Sequence, residues 1–191
     1  MREKILTIAQ EQLQSGGYEN LNFATIAESL STSRANLHHH FKNKEGLALE
    51  ATRHYADAML QNMKQMASAH DGNIITFLAE FEKFMIAKIK EDGCGGSCIC
   101  SQIIREEDVP QSIRDLSEAH FLKVTSLFKE IIKESQNKKI ILKTIAPERL
   151  AMMTFSFIMG VGQMALVRGN DPKFIKSLKG LMQEWINRYK I

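Results

Sequence analysis

Apolar residues recur along this chain three and four positions apart, and strand-like alternation is nearly absent. That spacing predicts an all-α protein built from amphipathic helices. After an amphipathic N-terminal helix, Phe23, Ile26, Ala27 and Leu30 form the inner face of a short second one. The small polar turn Ser31-Thr32-Ser33 leads to a third, anchored by Leu37 and Phe41. Six further helical stretches are read at 46–69, 73–91, about 97–107, 110–135, 147–168 and 172–189. The breaks between them are Asp71-Gly72, Asp92-Gly93, Gly95-Gly96 and Gly169-Asn170-Asp171. Pro110, Pro147 and Pro172 are read as first-turn helix residues, with Asp171 capping ahead of Pro172.

Two short helices across a tight turn are the sequence form of a helix-turn-helix, whose second helix enters the major groove of DNA. Ser33 can cap that second helix. With Leu37 and Phe41 turned inward, Arg34, Asn36, His38 and His39 are left on other faces. Arg can read guanine and Asn adenine by paired hydrogen bonds. Asn43 is a cap for the next helix, and Lys44 with the free amides there suits a phosphate. The DNA-facing set expected is Thr25, Ser33, Arg34, Ala35, Asn36, His38, His39 and Lys44. A plain helical hairpin with solvated polar faces would give the same local pattern.

These residues resemble the DNA-binding head of the TetR family of bacterial transcriptional regulators. The likeness starts near Ile5, passes the Gly16-Gly17-Tyr18 break and Ile26-Ala27-Glu28, and runs through Leu37-His38-His39-His40-Phe41-Lys42-Asn43-Lys44-Glu45-Gly46-Leu47. His38 and His39 stand where the family usually has two Tyr, Ser31 where it has a turn Gly, and Thr32 where it has Val. The resemblance implies a head over 1–46 and a ligand-binding and dimerisation domain over 47–191. It also implies a homodimer, an unidentified small-molecule inducer and a double-stranded, near-palindromic operator.

Bulk charge adds little. The 191 residues carry a net charge of +3, and over 1–54 the six basic and six acidic residues cancel. Placement matters more: from Arg34 to Lys44 there are three cations, three His and no acid. The N-terminus shows no signal peptide and no apolar stretch spans a membrane uninterrupted, so a cytoplasmic protein without a membrane partner is expected.

Leu150 to Val167 is apolar on most faces, and such a helix must be covered on all sides. A second subunit can supply the missing cover, with Phe157, Gly160, Gly162, Leu178 and Trp185 at the seam. A helix buried centrally in a monomer is the alternative. Ten Met are present, seven of them (Met59, Met63, Met66, Met85, Met152, Met153 and Met159) on predicted buried faces. Met59, Met63, Phe81, Phe121 and Phe128 are candidates for an adaptable apolar ligand pocket, or for ordinary core.

All three cysteines cluster as Cys94, Cys98 and Cys100. Three readings stand: a reactive thiol sensor with Cys98 foremost, a soft-metal site, or packing of a tight loop. The spacing lacks the paired Cys-x-x-Cys of zinc sites and no His is near in sequence. His38, His39 and His40 are not a metal box, because adjacent helical residues point about 100° apart. Glu106, Glu107 and Asp108 look like a solvated helix end rather than paired catalytic carboxylates. No phosphate loop or zinc-protease motif occurs. A regulator, responsive to ligand or thiol chemistry and without cofactor or resident metal, is the reading adopted. The alternatives are a helical thiol redox enzyme, a soft-metal-binding protein built on the cysteines, and an interaction module with a vestigial head.

Overall fold

The structure, a computed structural model, describes residues 1–92 and 98–191. Among the described residues the helices are α1 (Arg2–Asn20), α2 (Phe23–Ser29), α3 (Arg34–Phe41), α4 (Lys44–Ala69) and α5 (Ile74–Asp92). They continue as α6 (Ile99–Ile103), α7 (Gln111–Asn137), α8 (Pro147–Arg168), α9 (Pro172–Leu178) and α10 (Leu181–Asn187). The only extended pairing described is an isolated antiparallel bridge, Ile141 to Lys190. The chain is all-α.

Three boundaries differ from the periodicity, each for a local reason. The last stretch is two helices, not one, because Gly180 turns at φ 82. That turn lets the buried Glu82 carboxylate accept from the amides of Gly180 (2.6 Å) and Met182 (2.8 Å), capping α10 with a charge. The short helix ends at Ile103, because the chain beyond it is taken up by contacts to α1 described below. Pro110 stands one residue before α7, where its carbonyl accepts from Ile113 and Arg114, so it caps the helix rather than opening its first turn. Pro147 and Pro172 do open α8 and α9, and Asp171 accepts from Lys173 N at 2.9 Å.

The described chain divides into two compact units. The first joins Met1–Met59 with Cys98–Phe121. Its core draws Ile5, Leu6, Ala9 and Leu13 of α1, Ile26 of α2, Leu37 and Phe41 of α3, and Leu47 and Ala51 of α4. Ile99, Ile103, Val109 and Ile113 close the same core. The expected boundary at 46/47 falls inside α4, and the head's apolar interior is completed by residues more than fifty positions further on.

The second unit takes the rest. Phe77 stacks on Phe81 (6.1 Å) and meets Phe128 edge-on (5.7 Å). The Ser135 hydroxyl donates to Gly72 O and accepts from Ile74 N, which ties α7 to the turn before α5. Within this unit α8 is long and apolar enough to cross a membrane by length and composition, with only 28% of its most apolar window buried.

Candidate DNA interface and a buried thiol–imidazole cluster

The helix-turn-helix forms as the residues dictate. Asn22 caps α2 by accepting from Ala24 N (2.8 Å), and Ser33 caps α3 by accepting from Asn36 N (3.2 Å). Ser31 sits at φ 49, a left-handed turn position that glycine enters more easily. Leu37 and Phe41 are buried, and Ser33, Arg34, Ala35, His38 and His39 are exposed on α3. Asn43 caps α4, with its side chain accepting from Gly46 N at 2.8 Å.

Several members of the expected DNA-facing set already have work within the head. Thr25 is exposed, but its hydroxyl donates to Asn22 O and accepts from Gln12 Nε2 (2.7 Å). Asn36 is half-buried and donates one amide hydrogen to Thr32 Oγ1 (3.0 Å), leaving its carbonyl oxygen and second hydrogen for a base edge. His38 stacks on Phe23 at 4.7 Å and its Nδ1 lies 2.9 Å from Lys42 O, so it closes the end of α3. Lys44 donates to Glu19 O (3.1 Å) and lies 4.9 Å over the Tyr18 ring. Burial, then the neighbouring Glu45 carboxylate, push the Tyr18 hydroxyl pKa up.

Glu106 is not on a solvated face. Its carboxylate is half-buried and accepts from the amides of Tyr18 (2.8 Å) and Glu19 (3.0 Å), just past a kink at Gly17 (φ 71, ψ −163). Arg114 holds the segment that carries it, donating to the carbonyls of Ile104, Glu106, Glu107 and Val109. Glu106 therefore ties the α6–α7 segment to α1, and Arg114 holds that segment in shape.

The same unit contains a cluster that sequence spacing concealed. Cys98 caps α6, Cys100 lies in its first turn, and His120 of α7 reaches them from twenty positions on. Their ligand atoms lie within 4.8 Å of one another. The Cys100 thiol donates to the Cys98 sulfur, and with His120 alongside, Cys98 is held well below the usual thiol range. The same bond keeps the proton on Cys100 and, with burial, pushes its pKa far up. Tyr55 lies against Cys98, its own pKa raised by burial first and by the two sulfurs next. Cys94, read as a third member, lies outside the described residues.

We predict that iodoacetamide at neutral pH labels part-exposed Cys98 at least roughly tenfold faster than buried Cys100, because the thiolate is the nucleophile. Peptide mass spectrometry reads both rates, and equal rates would remove the asymmetry.

The expected pocket set draws on both units. Met59 and Phe121 belong to the first unit, and Met63, Phe81 and Phe128 to the second. There Phe81 and Phe128 pack with Phe77 in the core. A small cavity of about 10 Å³ lies elsewhere in the second unit, lined by Glu82, Met85, Ile86, Val161, Leu178, Leu181 and Met182. Leu178 faces it and is buried within its own unit, which corrects its placement at a dimer seam. Phe157 and Trp185, by contrast, stack on each other half-exposed at 5.1 Å, and a side chain at Gly160 or Gly162 would meet nothing within 4 Å. Met152, expected buried, is 65% exposed on α8, and Met164 and Val167 further along the same helix are exposed as well.

Residues 5–51 match the family model "Bacterial regulatory proteins, tetR family". A comparison with curated proteins found no match. Solved structures resemble the whole chain. A TetR-family regulator from Agrobacterium tumefaciens is 17% identical with a TM-score of 0.87, over 100% of this chain and 97% of that one. A cysteine-substituted CifR, solved with a 26-base-pair operator, is 19% identical with a TM-score of 0.80, over 97% of each chain. A regulator from Saccharomonospora viridis in complex with choline is 22% identical with a TM-score of 0.78, over 97% of this chain and 95% of that one. Residues 5–51 thus match the DNA-binding head of the tetR family, and the chain shares its fold along its length with these solved TetR-family regulators.

Proposed function

We propose that the chain is a cytoplasmic, homodimeric repressor, not an enzyme. It binds a near-palindromic DNA site through α3 and releases it when an effector engages the body of the protein. The observation that carries the reading is the capped α3, with Leu37 and Phe41 inward and Arg34, Asn36 and His39 on its other faces. A two-fold dimer presents two such helices to successive turns of one DNA face, which is why the site is near-palindromic. The second subunit covers α8, whose Met152, Met164 and Val167 are 65%, 50% and 79% exposed in the single chain. An exposed apolar face of that kind marks an interaction surface.

Ser33 and Thr25 frame the reading helix rather than read bases, and Lys44 faces phosphate from its seat on Tyr18. The test is selection of bound DNA from a random pool, followed by titration of variants. Asn36→Ala is expected to cost about 1–3 kcal/mol on the selected operator and little on random DNA. Lys44→Ala weakens both and flattens the salt dependence. Equal losses on operator and random DNA for Asn36→Ala would remove its base-reading role, and no enrichment in the selection would remove the regulator reading itself.

A further inference from the structure

We propose that Cys98, Cys100 and His120 form a regulatory site for a soft, thiophilic metal ion, Cu(I) or Zn²⁺. Three donors from two helices converge, all within 4.8 Å of one another. Metal–ligand bonds of roughly 2.0–2.3 Å place donor atoms around one ion roughly 3.3–4 Å apart in tetrahedral or trigonal geometry, so a small inward shift of these side chains completes the set. Two thiols and an imidazole are the donors that prefer Cu(I) and Zn²⁺ to hard cations such as Mg²⁺ and Ca²⁺.

The surroundings point the same way. Ser117 is fully buried beside Cys100, and its hydroxyl makes no hydrogen bond of regular geometry. A buried hydroxyl without a partner is destabilising. Its neighbour is the Cys100 sulfur, and a metal-bound thiolate there would be a stronger acceptor than the thiol. The Tyr55 hydroxyl serves the Cys98 sulfur in the same way. Donors that bond to the ligating atoms are the usual outer shell of a metal site.

Binding balances simply. Cys98 and Cys100 bind as thiolates, their thiol protons passing to solvent, and neutral His120 offers a ring lone pair. Two metal–sulfur bonds and one metal–nitrogen bond form, and nothing is oxidised or reduced. Three protein donors suit low-coordinate Cu(I) directly, whereas Zn²⁺ adds a fourth, solvent-derived ligand.

The site can reach DNA binding within one compact unit. Ile99 and Ile103 flank Cys100 on α6 and share a core with Leu37 and Phe41 of α3. Drawing α6 and α7 together around an ion therefore acts on the packing behind the recognition helix. This regulatory half rests on the operator-binding reading above, and the ion-binding half does not.

The test uses the reduced, full-length protein without oxygen. Cu(I) is titrated against a chromophoric Cu(I) chelator and Zn²⁺ against a colorimetric Zn²⁺ chelator. One ion per protomer is expected, and whichever metal survives the stronger competition is assigned to the site. Cys98→Ala, Cys100→Ala and His120→Gln are each expected to weaken retention by more than the roughly 10–100-fold that loss of an outer-shell partner costs. Ser117→Ala falls within that outer-shell range.

Because Cys100 and His120 are buried and their replacement can disturb the core, X-ray absorption on the loaded wild type provides a second measurement. Two sulfurs and one imidazole around the metal support the site. A shell of nitrogen and oxygen alone, retention unchanged in the three ligand variants, or no retention of either ion overturns it. A Cys98–Cys100 disulfide that forms in preference to metal binding under mild oxidation also overturns it. An ion held by the site with no change in operator affinity overturns only the regulatory half, and absence of operator binding by the metal-free protein overturns the reading beneath it.

Discussion

Gly162→Glu is expected to leave a folded protein that is monomeric and has lost tight operator binding. Gly162 is half-exposed in the single chain, and a Cβ built on it meets nothing within 4 Å, so the unit itself has room for the side chain. At a two-fold seam that room belongs to the partner. Each subunit would bring one carboxylate into it, and an unpaired buried charge costs about 3–5 kcal/mol. Losing the second head removes the effective-concentration gain of a linked pair, on the order of 10²–10⁴ in affinity. Sedimentation at micromolar protein reads the mass, circular dichroism the fold, and operator titration the affinity. A variant that sediments as a dimer would show that the seam lies elsewhere. A wild type that sediments as a monomer would show that α8 is covered by something other than a second copy.

Gly17→Ala is expected to unfold the DNA-binding head, at a cost of about 3 kcal/mol or more. Two effects add at this position. The backbone stands at φ 71 and ψ −163, a conformation that is essentially glycine's alone. A Cβ there would also come within 1.8 Å of a Glu106 carboxylate oxygen. Glu106 is not free to swing away, because it accepts from Tyr18 N and Glu19 N. Displacing it breaks two charge-assisted hydrogen bonds as well as straining the turn. Glu106→Gln keeps the shape but gives up the charge and one of the two acceptors, because its NH2 would face an amide N–H, so its loss should be smaller than that of Gly17→Ala, about 1–3 kcal/mol. Denaturant melts of the two variants rank them, and a Gly17→Ala protein as stable as wild type would mean that the kink relaxes without harm.

The sequence read most clearly where one residue decides a local outcome. Ser33, Asn43 and Asp171 cap α3, α4 and α9 because their side chains need only a backbone amide two or three positions away. Leu37 and Phe41 are inward because helical spacing leaves them nowhere else to go. What stayed hidden were partners distant in the chain. Glu106 looked like an exposed acid because its partners, Tyr18 and Glu19, come from the other end of the unit. His120 carried no signal, since ligand motifs are recognised by short spacings and this one closes through tertiary packing. Leu178 fitted a seam by periodicity, yet the break at Gly180 turns it into its own core. An acid just after a short apolar helical stretch, with an arginine some eight positions on, is the one sequence cue that could have flagged Glu106 and Arg114 together.

The first unit is written in two separate passages of the chain, and protein engineers will meet that fact directly. A regulator of this fold invites exchange of its reading head, by a cut just past α3 and a graft onto another body. Here such a cut would leave Ile99, Ile103, Val109 and Ile113 behind with the old body, and Glu106 and Arg114 with them. The transplanted head would arrive with an open apolar flank and an untethered α1. A working chimera has to carry residues 98–121 as a second insert, so specificity in this protein is inherited as a pair of passages and not as a single cassette.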